Sequence, residues 1–167
     1  MRQFKFFYSV SPNLTMIYSR ACELGIQAML YLAMQPEGRP ALVRDIAHDL
    51  SIPTPYLAKI MQTLSRARLV QSQKGPGGGL WLARPARQIR LLDVVAAVDT
   101  MTGFDRCVLG LAECSDENWC PAHPYWSTIK QQILDLLQSK TIGELAREAQ
   151  QRGLKVSVRR LRKAVNR

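Results

Sequence analysis

Three cysteines and a histidine fall within the stretch CVLGLAECSDENWCPAH, which runs from Cys107 to His123. Six residues separate Cys107 from Cys114, five separate Cys114 from Cys120, and His123 follows three positions later. Thiolates and imidazole are ligands for transition metals, and thiols can also exchange to disulfides, so the set points to a metal centre or a redox device. A structural zinc site is normally built on tight C-x-x-C pairs, and this segment has none. Thiolates spread along a loop suit a centre of larger span, because iron–sulfur clusters take cysteine ligands with occasional histidine replacement. A zinc or thiol sensor using the same residues is the competing chemistry.

The compartment bears on that choice. No apolar run reaches the ~18–20 residues of a membrane span, and the chain reads as cytoplasmic, with no membrane partner. Glutathione keeps thiols reduced there, which favours ligands or sensors over a disulfide staple. The opening stretch MRQFKFFYSVSPNLTMI begins like a signal peptide, but Lys5 and Pro12 interrupt it and no A-x-A-like cleavage site follows. Residues 1–17 are therefore expected to be a poorly ordered extension, with Met16 an alternative start.

The bulk composition identifies the kind of partner. Hydrophobic residues make up 47% of the chain, enough for a real core, and 23 Lys and Arg against 13 Asp and Glu leave a net charge of +10. A surplus of that size points to a polyanion, either nucleic acid or an acidic membrane face. No paired acid–base constellation and no phosphate loop with a following Gly-Lys-Ser/Thr occurs. An enzyme with a small-molecule substrate is accordingly not expected.

The elements that must position these residues begin at Ser19, a candidate N-cap before Leu24, Ile26, Met29, Leu30 and Ala33 at helical spacing. QPEGRP ends that helix, and a short second helix covers Leu42–Leu50. A third opens with Thr54 as N-cap and Pro55 in the first turn, and carries Leu57, Ile60, Met61 and Leu64 on one face. Strands at Leu69–Gln73 and Leu80–Ala83 flank a Gly/Pro turn and predict a hairpin. The expected fold class is mainly α with a small β-hairpin wing, a winged helix-turn-helix plus a long dimerisation helix.

In that arrangement Thr54, Pro55, Tyr56, Ala58 and Lys59 lie at the start of a helix slim enough for the major groove. Lys74, Gly75, Gly77 and Gly78 form the wing tip, where glycines permit close approach to a backbone. Trp126, Ile129, Ile133 and Leu136 step by three, four and three along the helix after the cysteine loop, an apolar seam for a homodimer. Double-stranded DNA with a palindromic operator is the expected partner, since two-fold related reading heads sit about one DNA turn, roughly 34 Å, apart. The organisation reads as an extension (1–17), a winged helix-turn-helix (18–100), a cysteine loop (101–123), a dimerisation helix with a short terminal helix (124–150) and a basic tail (151–167). That tail has no acidic residue.

The segments YLAKIMQTL and KGPGGG, the three loop cysteines and TIGEL, in that order, resemble the IscR/NsrR-type family of bacterial winged-helix transcriptional regulators. The resemblance extends from Ser19 to about Ala149. It implies a homodimeric DNA-binding regulator whose Cys107, Cys114 and Cys120 hold an iron–sulfur cluster. The fourth ligand implied is His123, matching the family down to the following Trp126, or Glu23 in the first helix, where some relatives supply a carboxylate. A histidine ligand favours 2Fe–2S; a Glu23 ligand suits 4Fe–4S. The family usually has five residues in both cysteine gaps, so the six after Cys107 depart from its pattern.

Overall fold

A computed structural model of the chain describes residues 18–36, 38–99, 107–109, 111, 115, 117 and 120–153. The expected extension (1–17), Cys114 and most of the basic tail lie outside the described residues.

Helix α1 (Arg20–Ala33) opens where Ser19 caps it, its hydroxyl accepting the Cys22 N–H at 3.1 Å. The Ser19 N–H and hydroxyl both donate to the Asp99 carboxylate, the former at 2.7 Å, pinning the start of α1 to the end of α4 (Leu91–Val98). Cys22, Leu24, Ala28, Met29 and Leu32 form the buried stripe of α1. It packs on α3 (Thr54–Arg66), α4 and α6 (Ile142–Gln151), while α2 (Val43–Leu50) packs on α3. Leu57 and Leu64 of α3 are fully buried against this layer, each contributing on the order of 1.5–3 kcal/mol by leaving water.

The turn between α2 and α3 departs from expectation by one residue. Ser51 closes α2 in the left-handed conformation, φ 56°, and the Ile52 N–H reaches back to the Ala47 carbonyl at 2.8 Å. Helix α3 then begins at Thr54 itself, with Pro53 at the N-cap and Pro55 within the first turn. Thr54 is therefore a helical residue, and no side chain caps α3.

Strands β1 (Val70–Gln73) and β2 (Gly79–Leu82) pair antiparallel, Val70 opposite Leu82 and Gln73 opposite Gly79. The tip needs its glycines. Gly77 has φ 78°, and a Cβ on Gly78 would lie 2.3 Å from the Gln73 carbonyl oxygen. Two bonds between Ala41 and Leu80, at 2.9 and 2.8 Å, anchor the hairpin to the segment between α1 and α2. Among the described residues no helix is long and apolar enough to cross a membrane.

The base of the wing leads through a 3-10 turn, Ala86–Gln88, to α4. Helix α5 (His123–Ser139) packs on α4 and buries Leu137 fully. Ile142 N–H to the Ile89 carbonyl and Leu91 N–H to the Lys140 carbonyl, at 2.8 and 2.9 Å, join the α5–α6 junction to the start of α4. At Gly143 a Cβ would come within 2.9 Å of the Arg87 backbone nitrogen. Gly143→Ala should therefore cost about 1–3 kcal/mol through overpacking against backbone, read as a lower denaturation midpoint.

A capping box opens α6. The Thr141 hydroxyl accepts the Glu144 N–H at 3.2 Å, and the Glu144 carboxylate accepts the Thr141 N–H at 2.9 Å. The Thr141 backbone bond, then its hydroxyl, holds the Glu144 carboxyl below its usual range. A pKa lowered by folding adds stability above the unfolded pKa and loses it as pH falls through the folded one. Thr141→Ala should cost ~1 kcal/mol at neutral pH and flatten that acid-side loss, measured as midpoint against pH.

Candidate functional site

Two assemblies of polar groups stand out, one on the α3–wing face and one at the foot of α5. On the first, Thr54, Pro55, Tyr56 and Lys59 are exposed on the opening turns of α3, and Ala58 is half-buried between them and the wing. The first turn of α3 holds no acid and no capping side chain. Pro55 has no N–H and the Tyr56 N–H donates to the Pro53 carbonyl at 3.0 Å, so it is the helix dipole that favours an incoming phosphate there. Lys74, Gly75 and Gly77 are exposed at the hairpin tip, with Gly78 half-buried. A cleft of about 540 Å³ runs between helix and hairpin, bordered by Ala58, Gln62, Arg66 and Lys74.

Gln62 and Arg66 are further polar residues of this face, absent from the DNA contacts expected from the sequence. Their signal was present, because Lys59, Gln62 and Arg66 recur at three and four residues on the side of α3 opposite Leu57 and Leu64. Arg68, in the turn between α3 and β1, is exposed and has a left-handed backbone, φ 57°.

At the foot of α5, Cys107 and Cys120 are buried, reduced and 3.6 Å apart, Sγ to Sγ. A disulfide needs about 2.05 Å. Two thiolates on one tetrahedral metal, with metal–sulfur bonds of ~2.3 Å, lie roughly 3.8 Å apart, so the pair fits a shared ion. The Cys107 thiol is pushed below its ordinary pKa, chiefly by a backbone hydrogen bond at Leu109. Further lowering comes from Leu111, the Cys120 thiol and the Lys130 ammonium, against an opposing desolvation. This environment favours the thiolate, the ligating and reactive form.

His123 is the first residue of α5, buried, its N–H donating to the Cys120 carbonyl at 2.9 Å. The structure thus brings Cys107, Cys120 and His123 to one junction of loop and helix. Among the described residues, no three His, Cys, Asp or Glu side chains converge tightly enough to cage a metal ion. Glu23 is not drawn to the thiols within the chain; its carboxylate takes the Arg20 guanidinium at 2.6 Å. Its neighbour Cys22 faces the core, where burial first, then the Asp99 and Glu23 carboxylates, push the thiol up to about 12. That environment favours the thiol of Cys22 over the thiolate, the reactive form. His48 is exposed, with Nδ1 3.2 Å from Asp49 Oδ1.

The seam expected along Trp126, Ile129, Ile133 and Leu136 is divided between two faces of α5. Ile133 packs against the chain's own core beside fully buried Leu137, and Trp126 is half-buried. Ile129 and Leu136 are 45% and 49% exposed and share their face with Tyr125, 76% exposed.

A family model described as "Rrf2: Iron-dependent Transcriptional regulator" matches residues 18–148. The chain is 33% identical over 123 residues to the HTH-type transcriptional regulator IscR of Vibrio campbellii, a match covering 74% of this chain and 73% of that protein. Among solved structures, T. potens IscR superposes with a TM-score of 0.64 at 26% identity, covering 81% of this chain and 90% of that one. CymR, the global cysteine regulator of B. subtilis, shares the fold with a TM-score of 0.66 at 22% identity, over 78% of this chain and 95% of the other.

Proposed function

The chain belongs to the Rrf2 family of transcriptional regulators and is not an enzyme, and from that premise we propose that it is a homodimeric repressor whose operator affinity is set by an iron–sulfur cluster at the foot of α5. The observation that carries this reading is the buried pair of free thiols, Cys107 and Cys120, 3.6 Å apart beside a buried histidine. Cys107, Cys114 and Cys120 are the thiolate ligands, and His123 is the fourth, which favours 2Fe–2S over 4Fe–4S. Glu23, held by Arg20 in its own chain, is the competitor for that position. A cluster bound there supplies a centre that responds to iron supply, redox state or nitric oxide.

The chain's own residues carry the response to DNA. Cys120 and His123 fix the first turn of α5, and Leu137 on α5 is packed into the core near α4. Asp99, at the end of α4, holds the start of α1 through Ser19. Binding or loss of the cluster at Cys120 and His123 therefore acts on the scaffold that sets α3 and the wing. Two copies joined along α5 would present two such heads to a palindromic site in the cytoplasm.

The deciding measurement is the visible spectrum of anaerobically purified protein, with iron and sulfide analysis. Charge-transfer absorption with matching iron and sulfide is the expected result. Bound zinc without visible absorption would replace this reading with the thiol or zinc sensor, for which the same cysteine pair is suited.

On the DNA side, Lys74→Ala should weaken binding to operator and random duplex alike and reduce the salt slope by ~1, as for one lost phosphate contact. Fluorescence anisotropy over a salt series checks it. A change confined to the operator would instead assign Lys74 to reading a narrow minor groove.

A further inference from the structure

We infer that the cleft between the end of α1, the base of the wing and α6 is a binding site for a small phosphate-bearing anion, separate from the DNA-reading face. The cleft has a volume of about 780 Å³, within the ~300–1,000 Å³ of small-molecule sites. Four guanidiniums line it: Arg39 after α1, Arg84 and Arg87 at the base of the wing, and Arg147 on α6. Arg84 is held in place by Asp93 at 2.7 Å. Arg39, Arg87 and Arg147 have no acidic partner among the described residues. Glu37, which in sequence lies between two lining residues, is outside the described residues.

With Arg84 neutralised by Asp93, Arg39, Arg87 and Arg147 leave three positive charges without an acidic partner among the described residues, a surplus that an entering anion would offset. Guanidinium is the group suited to that entry, since its planar fork matches phosphate oxygens two at a time. Trp81 completes one wall, its indole N–H fixed on the Gln71 side-chain oxygen at 2.9 Å. A set aromatic beside arginines can accept a planar group attached to the phosphate, as in a nucleotide. The cleft shares no lining residue with the one between α3 and the wing tip, and only its Gln35 and Arg39 also border a cleft that reaches Gly75, Gly77 and Gly78. Arg39, Arg84, Arg87 and Arg147 are all exposed along it, within reach of a ligand arriving from solvent. An anion seated there would touch the wing base and α6 together, across the tight Gly143–Ala86 contact.

Inorganic pyrophosphate titrated into the full chain by isothermal calorimetry tests the proposal. Saturable binding, one per chain, is expected, weakened about tenfold or more by Arg87→Ala with Arg147→Ala. It should be unaffected by Arg44→Ala with Lys140→Ala, which removes equal charge outside the cleft. Absence of saturation with the unaltered chain, or equal weakening by both pairs, overturns the site. A third arm addresses DNA phosphate as the source. If the Arg87/Arg147 variant loses affinity for random duplex with a salt slope reduced by ~2, and pyrophosphate competes with that duplex, the arginines contact the DNA backbone and the small-ligand site is overturned.

Discussion

Cys120→Ala should abolish the visible absorption of anaerobically prepared protein and, with it, the dependence of operator affinity on iron. The size of that dependence is set by allosteric coupling of ~1–3 kcal/mol, or about 5–150-fold in affinity. The fold should survive, because Cys107 and Cys120 are buried outside the main hydrophobic cluster that unites α1 to α4 with Leu137 and Ile142. Cys107→Ala should behave in the same way. Cys22→Ala supplies the matched control. That thiol is equally buried, but burial and nearby carboxylates keep it protonated, so its loss should leave the chromophore intact while costing some core packing. His123→Cys should retain a cluster at lower potential, since exchanging imidazole for thiolate reverses the effect of histidine ligation. Glu23→Ala should leave the spectrum almost unchanged. If Glu23→Ala loses the chromophore and His123→Ala keeps it unaltered, the fourth position moves to α1. Metal-free protein from iron-replete anaerobic cells that still regulates its operator normally would end the cluster reading.

The parts of this fold legible in the residues were those fixed by local chemistry. Ser19 announced α1 because a short hydroxyl side chain can take the exposed N–H two or three residues on. KGPGGG announced the hairpin because Gly77 must adopt positive φ and Gly78 has no room for a side chain. Helix α3 starts one residue before the position a Thr54 cap implies, because Ser51 closes α2 in the left-handed conformation usually left to glycine or asparagine. A Thr-Pro pair is then equally compatible with a cap or with the first helical turn. The 3-10 turn at Ala86–Gln88 and its contact with Gly143 were not legible, since they depend on where α6 comes to lie.

The candidate site shows the same division. The cysteine spacing and His123 were plain in sequence, and the structure adds that Cys107 and Cys120 meet at 3.6 Å. That Glu23 turns to Arg20, and that Lys130 on α5 contributes to the Cys107 environment, could not be read from spacing. Both depend on how α1 and α5 are rotated about their axes, which the packing of Leu24 and Leu137 decides.

That rotation also determines where the largest effect on assembly should lie. With Ile133 committed to its own core and Leu137 fully buried, the face of α5 left for a second chain carries Tyr125, Ile129 and Leu136. Leu136→Glu, or Ile129→Glu, should convert dimers to monomers. A carboxylate forced into an apolar seam without a partner is costly to desolvate, and two-fold symmetry places it there twice. Within one chain the same position is half-exposed, so stability of the folded unit should change by only about ±0.5 kcal/mol, and the helical signal should be retained. Operator affinity should then fall by a factor on the order of 10²–10⁴, because two half-sites would no longer be held at the effective concentration a dimer supplies. Half-site affinity should be nearly unaltered. Sedimentation velocity and anisotropy on whole and half operators measure the two quantities. Dimers that persist in both variants, with full operator affinity, would place the interface elsewhere.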